Sequence, residues 1–342
     1  PLDLVQAQGR LTALAREAHD LQRDRDRTDE TTHAFCLPGL AQQREAQSLL
    51  QASLALEAEE QADQARLSQI QAQIDDLVFD LYGLSQPDRA LVREEMGESA
   101  NQQISKLANE QDGSRITDHV SRGTDEDEGP DEEPAPPEDL PARVQNLLMW
   151  CVGVAFGRWD IRFALDPTLL PSLQGPFDPL PRCAPGALVA TDGLPPARAA
   201  DIAPESWLHA RDTVLHVPTQ PMEGDGVSAK TDQPATLNLE PETTIAWNGI
   251  LVDDPTHPSD IVARVREVLA LLWGDRADAI EREACQILGF DSLRDYFRDP
   301  RKGFFAFHVK RYSKSRRKAP IYWLLQSERR SYAIWLYIHR LR

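Results

Sequence analysis

Cysteine is scarce and scattered. Cys36, Cys151, Cys183 and Cys285 are the only four in 342 residues, and no two share a C-x-x-C spacing. Neither a disulfide framework nor a zinc ribbon is indicated, and reduced thiols in a cytoplasmic compartment are the expectation. Long apolar runs are missing too. The richest, Leu147 to Phe156, is about half the ~18 residues a membrane span requires, so no membrane partner is expected. No signal peptide is read in the sequence.

Catalytic loops are the third absence. No G-x-x-x-x-G-K-[ST] phosphate loop occurs, and Pro87-Asp88 and Pro130-Asp131 lack the acid-x-Lys partner of a nuclease. An amino-methyltransferase needs an Asn/Asp/Ser-Pro-Pro-aromatic loop, whose polar groups accept from the target amine and whose ring stacks on the flipped base. The two Pro-Pro pairs, Ala135-Pro136-Pro137-Glu138 and Leu194-Pro195-Pro196-Ala197, do not supply one. His33 and Cys36 have a spacing that metal ligands use, but two ligands do not make a site. His209, His216 and His339 stand alone. No catalytic, cofactor-binding or metal-binding residue is therefore expected within the chain.

What the chain does have is charge, unevenly placed. Its formal total is −18, yet residues 301–342 hold twelve cations against the single acid Glu328. That is +11, which leaves −29 for everything before it. Arg301, Lys302, Lys310, Arg311, Lys314, Arg316, Arg317, Lys318, Arg329 and Arg330 are the candidate contacts for double-stranded DNA, the commonest polyanionic partner of such a block. Aromatic residues run through it, able to stack on bases or to fill a core. Residues 320–326 and 332–338 are β-branched and aromatic runs joined by the polar loop Ser327-Glu328-Arg329-Arg330-Ser331, the pattern of a β-hairpin. Both runs are apolar on both faces, which predicts a sheet covered on each side.

The remaining chain reads as four stretches. In residues 1–97, Leu4, Ala7, Leu11, Leu14, Ala18 and Leu21 recur in alternating steps of three and four. A second seam, Leu67, Ile70, Ile74, Leu77 and Leu81, follows on a long helix starting near Leu40. Together they predict an antiparallel coiled-coil-like helical hairpin, acting as a spacer. Gly83 should end it, and Ser85 with Asp88 should cap a short helix that Gly97 closes. Residues 98–142 contain the acidic, Pro-rich run from Thr124 to Asp139, a flexible linker by composition. Residues 143–256 open with a helix of one-sided apolar face, Val144 to Phe156, stopped at Gly157. They continue Pro-rich and irregular, with short strands around Ala187–Ala190 and Val214–Val217. In residues 257–342, Ser259 should cap a helix with buried Ile261, Val262, Val265, Val268, Leu269 and Leu272 that ends at Gly274. A second helix should close at Gly289, and Asp291 should cap a third. The fold class is α+β, mostly helical, beginning with the hairpin and ending in the basic β-hairpin.

Several segments resemble a known family. They are Thr32-His33-Ala34-Phe35-Cys36-Leu37-Pro38, the helix from Ile74 to Leu84, Val152 to Trp159, Lys318 to Trp323, and Ser331 to Arg340. These are similar to the region downstream of the catalytic domain in large bacterial adenine-specific DNA methyltransferases. The PglX type of the BREX and DISARM phage-defence systems, related to type IIG restriction–modification enzymes, is the match. The resemblance implies an upstream domain that binds S-adenosylmethionine and methylates adenine N6, with a helical spacer and a target-recognition region following. The chain lacks the cofactor-binding Gly motif and the Asn-Pro-Pro-Tyr loop, so no catalytic residue carries over. It is expected to be a segment of a longer protein that acts with that upstream methyltransferase domain. The alternative is a protein-interaction module that docks the methyltransferase onto other defence-system proteins.

Overall fold

The computed structural model describes residues 4–93, 140–171, 175–189, 209–211, 214–218, 242–246, 249–312, 321–327 and 332–337. In chain order its helices are α1 (Leu4–Asp26), α2 (Gly39–Gln42), α3 (Leu49–Tyr82), α4 (86–93), α5 (Leu140–Ala155) and α6 (Arg162–Leu165). After strands β1 (His209–Arg211), β2 (Val214–Pro218), β3 (Glu242–Ala246) and β4 (Ile250–Val252) come α7 (Ile261–Trp273), α8 (Ala277–Leu288), α9 (Leu293–Arg298) and α10 (Phe304–Tyr312). Strands β5 (Tyr322–Gln326) and β6 (Ala333–Tyr337) follow. The protein is α+β and mostly helical, with two three-stranded antiparallel sheets among the described residues, ordered β1-β2-β3 and β4-β6-β5. The described residues fall into two compact units.

The first unit contains residues 4–21 and 62–93. The three-and-four spacing puts Leu14, Ile70 and Leu77 in a buried seam, with Leu11, Ala18, Leu21 and Ile74 packed around it. Arg66 reaches across to Glu17 with two bonds of 2.6 and 2.8 Å. The left-handed Gly83 (φ 66°) ends α3. Its N–H donates to the Asp80 carbonyl and that of Leu84 to the Phe79 carbonyl, closing the helix end. The Asp88 carboxylate accepts from Ser85 N (3.3 Å), one half of the expected capping box, and from the Ser85 hydroxyl (2.5 Å). Arg89 and Arg93 lie over the Phe79 ring and bond to Asp80 and Asp76. Gly97 and the acidic run fall outside the described residues.

The second unit contains residues 22–61 and the described residues from 140 onward. Its axis is α5, and here the structure corrects the expectation of a one-sided apolar face. Every residue from Leu147 to Ala155 is buried. A helix that is apolar all round must be enclosed, and α2, α7, α8 and α10 pack against this one. The helix begins at Leu140 with Pro141 in its first turn, inside the stretch expected as linker; the ring is tolerated where no intrahelical donor is needed. Gly153 faces Trp159 and the Tyr322 hydroxyl so closely that any side chain would collide with them.

Three helix starts also differ from expectation. The second long helix does not run from Leu40. It breaks after α2 and restarts at Leu49, where the Glu283 carboxylate of α8 accepts from Leu49 N (2.9 Å) and Leu50 N (3.0 Å). A carboxylate at a helix amino terminus satisfies open donors and meets the positive end of the dipole. Asp260, not Ser259, caps α7, because its carboxylate accepts from Ala263 N (3.1 Å) while the Ser259 carbonyl accepts from Val252 N. Ser292, not Asp291, caps α9 by accepting from Asp295 N.

The predicted terminal hairpin is present, and β4, 70 residues earlier in the chain, joins it: Leu251 faces Trp335 and Trp335 faces Leu324. One face of this sheet is buried. Tyr322 stacks on Phe156 (5.3 Å, 12°) and Trp335 meets Phe304 edge-on (5.2 Å). The other face is only partly covered among the described residues, where both were expected to be covered. Ile250, Trp323 and Leu325 remain 46, 44 and 56% exposed, with Ile334 and Leu336 half-buried between them. Val252, opposite Ile334 on the same face, is buried, so cover on this side reaches β4 but not the outer part of β5 among the described residues.

Candidate nucleic-acid interface

The ten candidate cations divide sharply. Lys314, Arg316, Arg317, Lys318, Arg329 and Arg330 lie outside the described residues. Arg301, Lys302 and Lys310 are exposed. Arg311 is already engaged: its guanidinium sits 2.5 Å from Asp29, in the loop after α1. An arginine paired with the protein's own carboxylate has little left for a phosphate, and Arg311 is withdrawn from the candidate contacts on that ground.

Arg301 and Lys302 are held out by a built turn. The Asp299 carboxylate accepts from Arg301 N (2.8 Å) and Lys302 N (2.7 Å). The Lys302 N–H foremost, then that of Arg301, holds Asp299 below the usual carboxylate range. Gly303 follows, pressed against the Tyr296 and Asp299 carbonyls where no Cβ fits, and the chain turns directly into α10. The two long side chains therefore project from a fixed backbone.

Residues 313–320, which carry Lys314, Arg316, Arg317 and Lys318, lie outside the described residues, but buried groups hold the residues on either side of them. On the far side the fully buried His308 accepts from Ile321 N (2.9 Å) and Tyr322 N (3.2 Å) through Nε2. That nitrogen must be unprotonated to do so. On the near side Tyr312 donates to Glu30 (2.6 Å). Arg158 donates to the same Glu30 oxygen (2.6 Å), to the Tyr312 hydroxyl (2.9 Å) and to the Tyr322 hydroxyl (3.3 Å). Its guanidinium also lies 4.1 Å over the Trp159 ring. Burial raises the Glu30 pKa, and Arg158 and Tyr312 only partly offset it. Burial opposes the charge on Arg158 as well, but Tyr312, Tyr322 and Glu30 outweigh it and hold the arginine firmly protonated. Burial likewise pushes the Tyr337 hydroxyl up to about 12.

A second network clamps the sheet to α9. Asp253 accepts from Arg294 and Arg298, and Asp260 accepts from Arg294 at 2.8 and 3.0 Å while capping α7. Asp253 N in turn donates to the β6 carbonyl of Ala333 (2.9 Å). Sequence reasoning missed both networks. Arg294 and Arg298, four apart on a short helix, were a visible pair; Glu30 and Arg158, 128 residues apart, left no signal.

The metal-spacing pair separates: His33 is exposed, while Cys36 is buried with its thiol bonded to the Ala34 carbonyl. Among the described residues no group of three or more His, Cys, Asp or Glu is placed to hold a metal. Among them too, no helix is long and apolar enough to cross a membrane. His209 and His216, isolated in sequence, become register partners across β1 and β2. Comparison with protein-family models, curated proteins and solved structures returns no match.

Proposed function

We propose that the chain is the DNA-binding spacer and target-recognition segment of a site-specific adenine-N6 DNA methyltransferase of a restriction or anti-phage system. Methyl transfer, with S-adenosylmethionine as donor, belongs to an upstream domain outside these residues. The observation that carries the DNA contact is the +11 block at 301–342 in a chain of −18. The exposed Arg301, Lys302 and Lys310, with four more cations in the sequence of residues 313–320, support it. Such cations would supply affinity and register through phosphates, and little sequence discrimination.

Salt titration of duplex binding by the full chain tests the reading. Affinity should fall steeply with salt, and the triple substitution Arg316→Ala/Arg317→Ala/Lys318→Ala should reduce the log–log slope by about 3, close to 0.9 for each phosphate no longer neutralised. Arg301→Ala with Lys302→Ala should reduce it by about 2. Arg311→Ala should leave it unchanged. A wild-type slope near zero overturns the proposal.

A further inference from the structure

Between α6 and β1, every residue from Pro176 to Leu180 is exposed. Phe177 is 91% exposed, more than any other large apolar side chain described, and Leu180, three residues on, is 72% exposed. The backbone that carries them is fixed. Pro176 sits second in a β-turn in which Asp178 N donates to the Gly175 carbonyl (3.2 Å). The Asp178 carboxylate closes the same turn by accepting from Gly175 N (2.7 Å). Beyond the turn, Pro179 and Pro181 lock their own φ and favour extended backbone at Asp178 and Leu180 before them. The foot of the loop is fixed too. Gly186 N donates to the Phe35 carbonyl (2.9 Å), while Asp160 N and Leu188 N donate to the carbonyls of Gly186 and Arg158 (3.0 Å each). Gly186 lies so close to the Cys36 carbonyl that no side chain fits there.

We propose that residues 176–182 are a docking segment, read by the aromatic-lined groove of a partner protein that recognises proline-fixed chain. The segment's own chemistry selects that occupant. Pro176, Pro179 and Pro181 have no N–H, and that of Asp178 already donates to Gly175. The donors left, on Phe177 and Leu180, are too few for a ladder, so strand addition is excluded. Residues 175–189 carry one cation, Arg182, and one acid, Asp178, which cancel. Neither a nucleic-acid backbone nor an anionic membrane finds its counter-charge there. A second copy fares no better. Phe177 and Leu180 offer on the order of 300 Å², against about 800 Å² per partner in a standard interface. A groove lined by rings needs none of these things. It takes an aromatic ring, a leucine and flat proline faces, and it gains because the chain is ordered before binding. Arg182, exposed just past the last proline, supplies a charge that sets the direction of the chain in the groove.

The test probes an array of isolated polyproline-binding domains, WW domains among them, with the labelled full chain. At least one domain should bind it saturably. Phe177→Ser and Leu180→Ser should each weaken that binding by roughly tenfold or more at unchanged thermal midpoint, since neither side chain is buried. Asp178→Ala, which opens the turn and leaves both apolar side chains in place, should weaken it by roughly threefold. No binding by any domain, or affinity unchanged in both serine variants, overturns the proposal. So does flotation of the chain with phosphatidylserine vesicles that Phe177→Ser abolishes, or a dimer in sedimentation that the same substitution dissociates. Duplex binding should be equal in the wild type and Phe177→Ser, so this proposal and the DNA reading fail separately.

Discussion

Two glutamate–arginine pairs, one in each unit, show opposite chemistry from the same groups. Glu17 and Arg66 join α1 and α3 in the first unit at the surface, each about two-fifths exposed. There the Arg66 hydrogen bond lowers the Glu17 pKa and outweighs the opposing effect of burial. Glu30 and Arg158 make an equally short bond in the second unit, at 3 and 12% exposure, and there burial wins and the Glu30 pKa rises. Distance is the same in both pairs, so solvent decides the sign. A buried pair costs desolvation and returns mainly a defined geometry, whereas an exposed pair is screened and interchangeable.

The largest test of this contrast is Arg158→Met. It leaves Glu30 without its cation and should cost about 3–5 kcal/mol of unfolding free energy. Arg158→Met combined with Glu30→Gln should recover much of that, and urea unfolding of the three proteins measures the difference. Next is His308→Ala, which strands the Ile321 and Tyr322 donors and opens a void beside Phe304. A loss of about 2–3 kcal/mol is expected, again by urea unfolding. Ser292→Ala removes the α9 cap and should cost about 1 kcal/mol.

The pH response distinguishes the two carboxylates further. A raised folded pKa means the folded state holds the Glu30 proton more tightly than the unfolded chain. Its contribution is full below the ordinary 4.5 and is lost as pH climbs through the raised value. Glu17, with a lowered folded pKa, contributes above 4.5 and loses that contribution as pH falls. Relative to Glu30→Gln, the wild type should therefore lose stability as pH rises from 4.5; a flat difference breaks the comparison. Smallest of all is Arg66→Ala, for which a fall in the thermal midpoint smaller than that of Ser292→Ala is expected above pH 4.5.

Legibility followed how local each signal is. The three-and-four periodicity of α1 and of α3, the Gly83 stop, the Ser85–Asp88 cap and the terminal hairpin were all readable, because each rests on residues a few positions apart. The continuous apolar run from Leu147 to Ala155 could have announced an enclosed α5, and only reading it as periodic concealed that. The restart of α3 at Leu49 could not be read, since its cap is Glu283, more than two hundred residues away. Of the candidate cations, sequence marked all ten alike. Only coordinates separate Arg311, tied to Asp29, from the exposed Arg301, Lys302 and Lys310.

The amino-acid sequence by itself determined the helical hairpin, the β-hairpin and the gathering of positive charge at 301–342, since period, turn residues and charge are properties of neighbours along the chain. Tertiary structure decided which charges meet each other instead of solvent, which helix becomes the axis of the second unit, and which face of the terminal sheet is only partly covered. Those outcomes depend on desolvation and on contacts closed across long loops, and neither is written in any short stretch of residues.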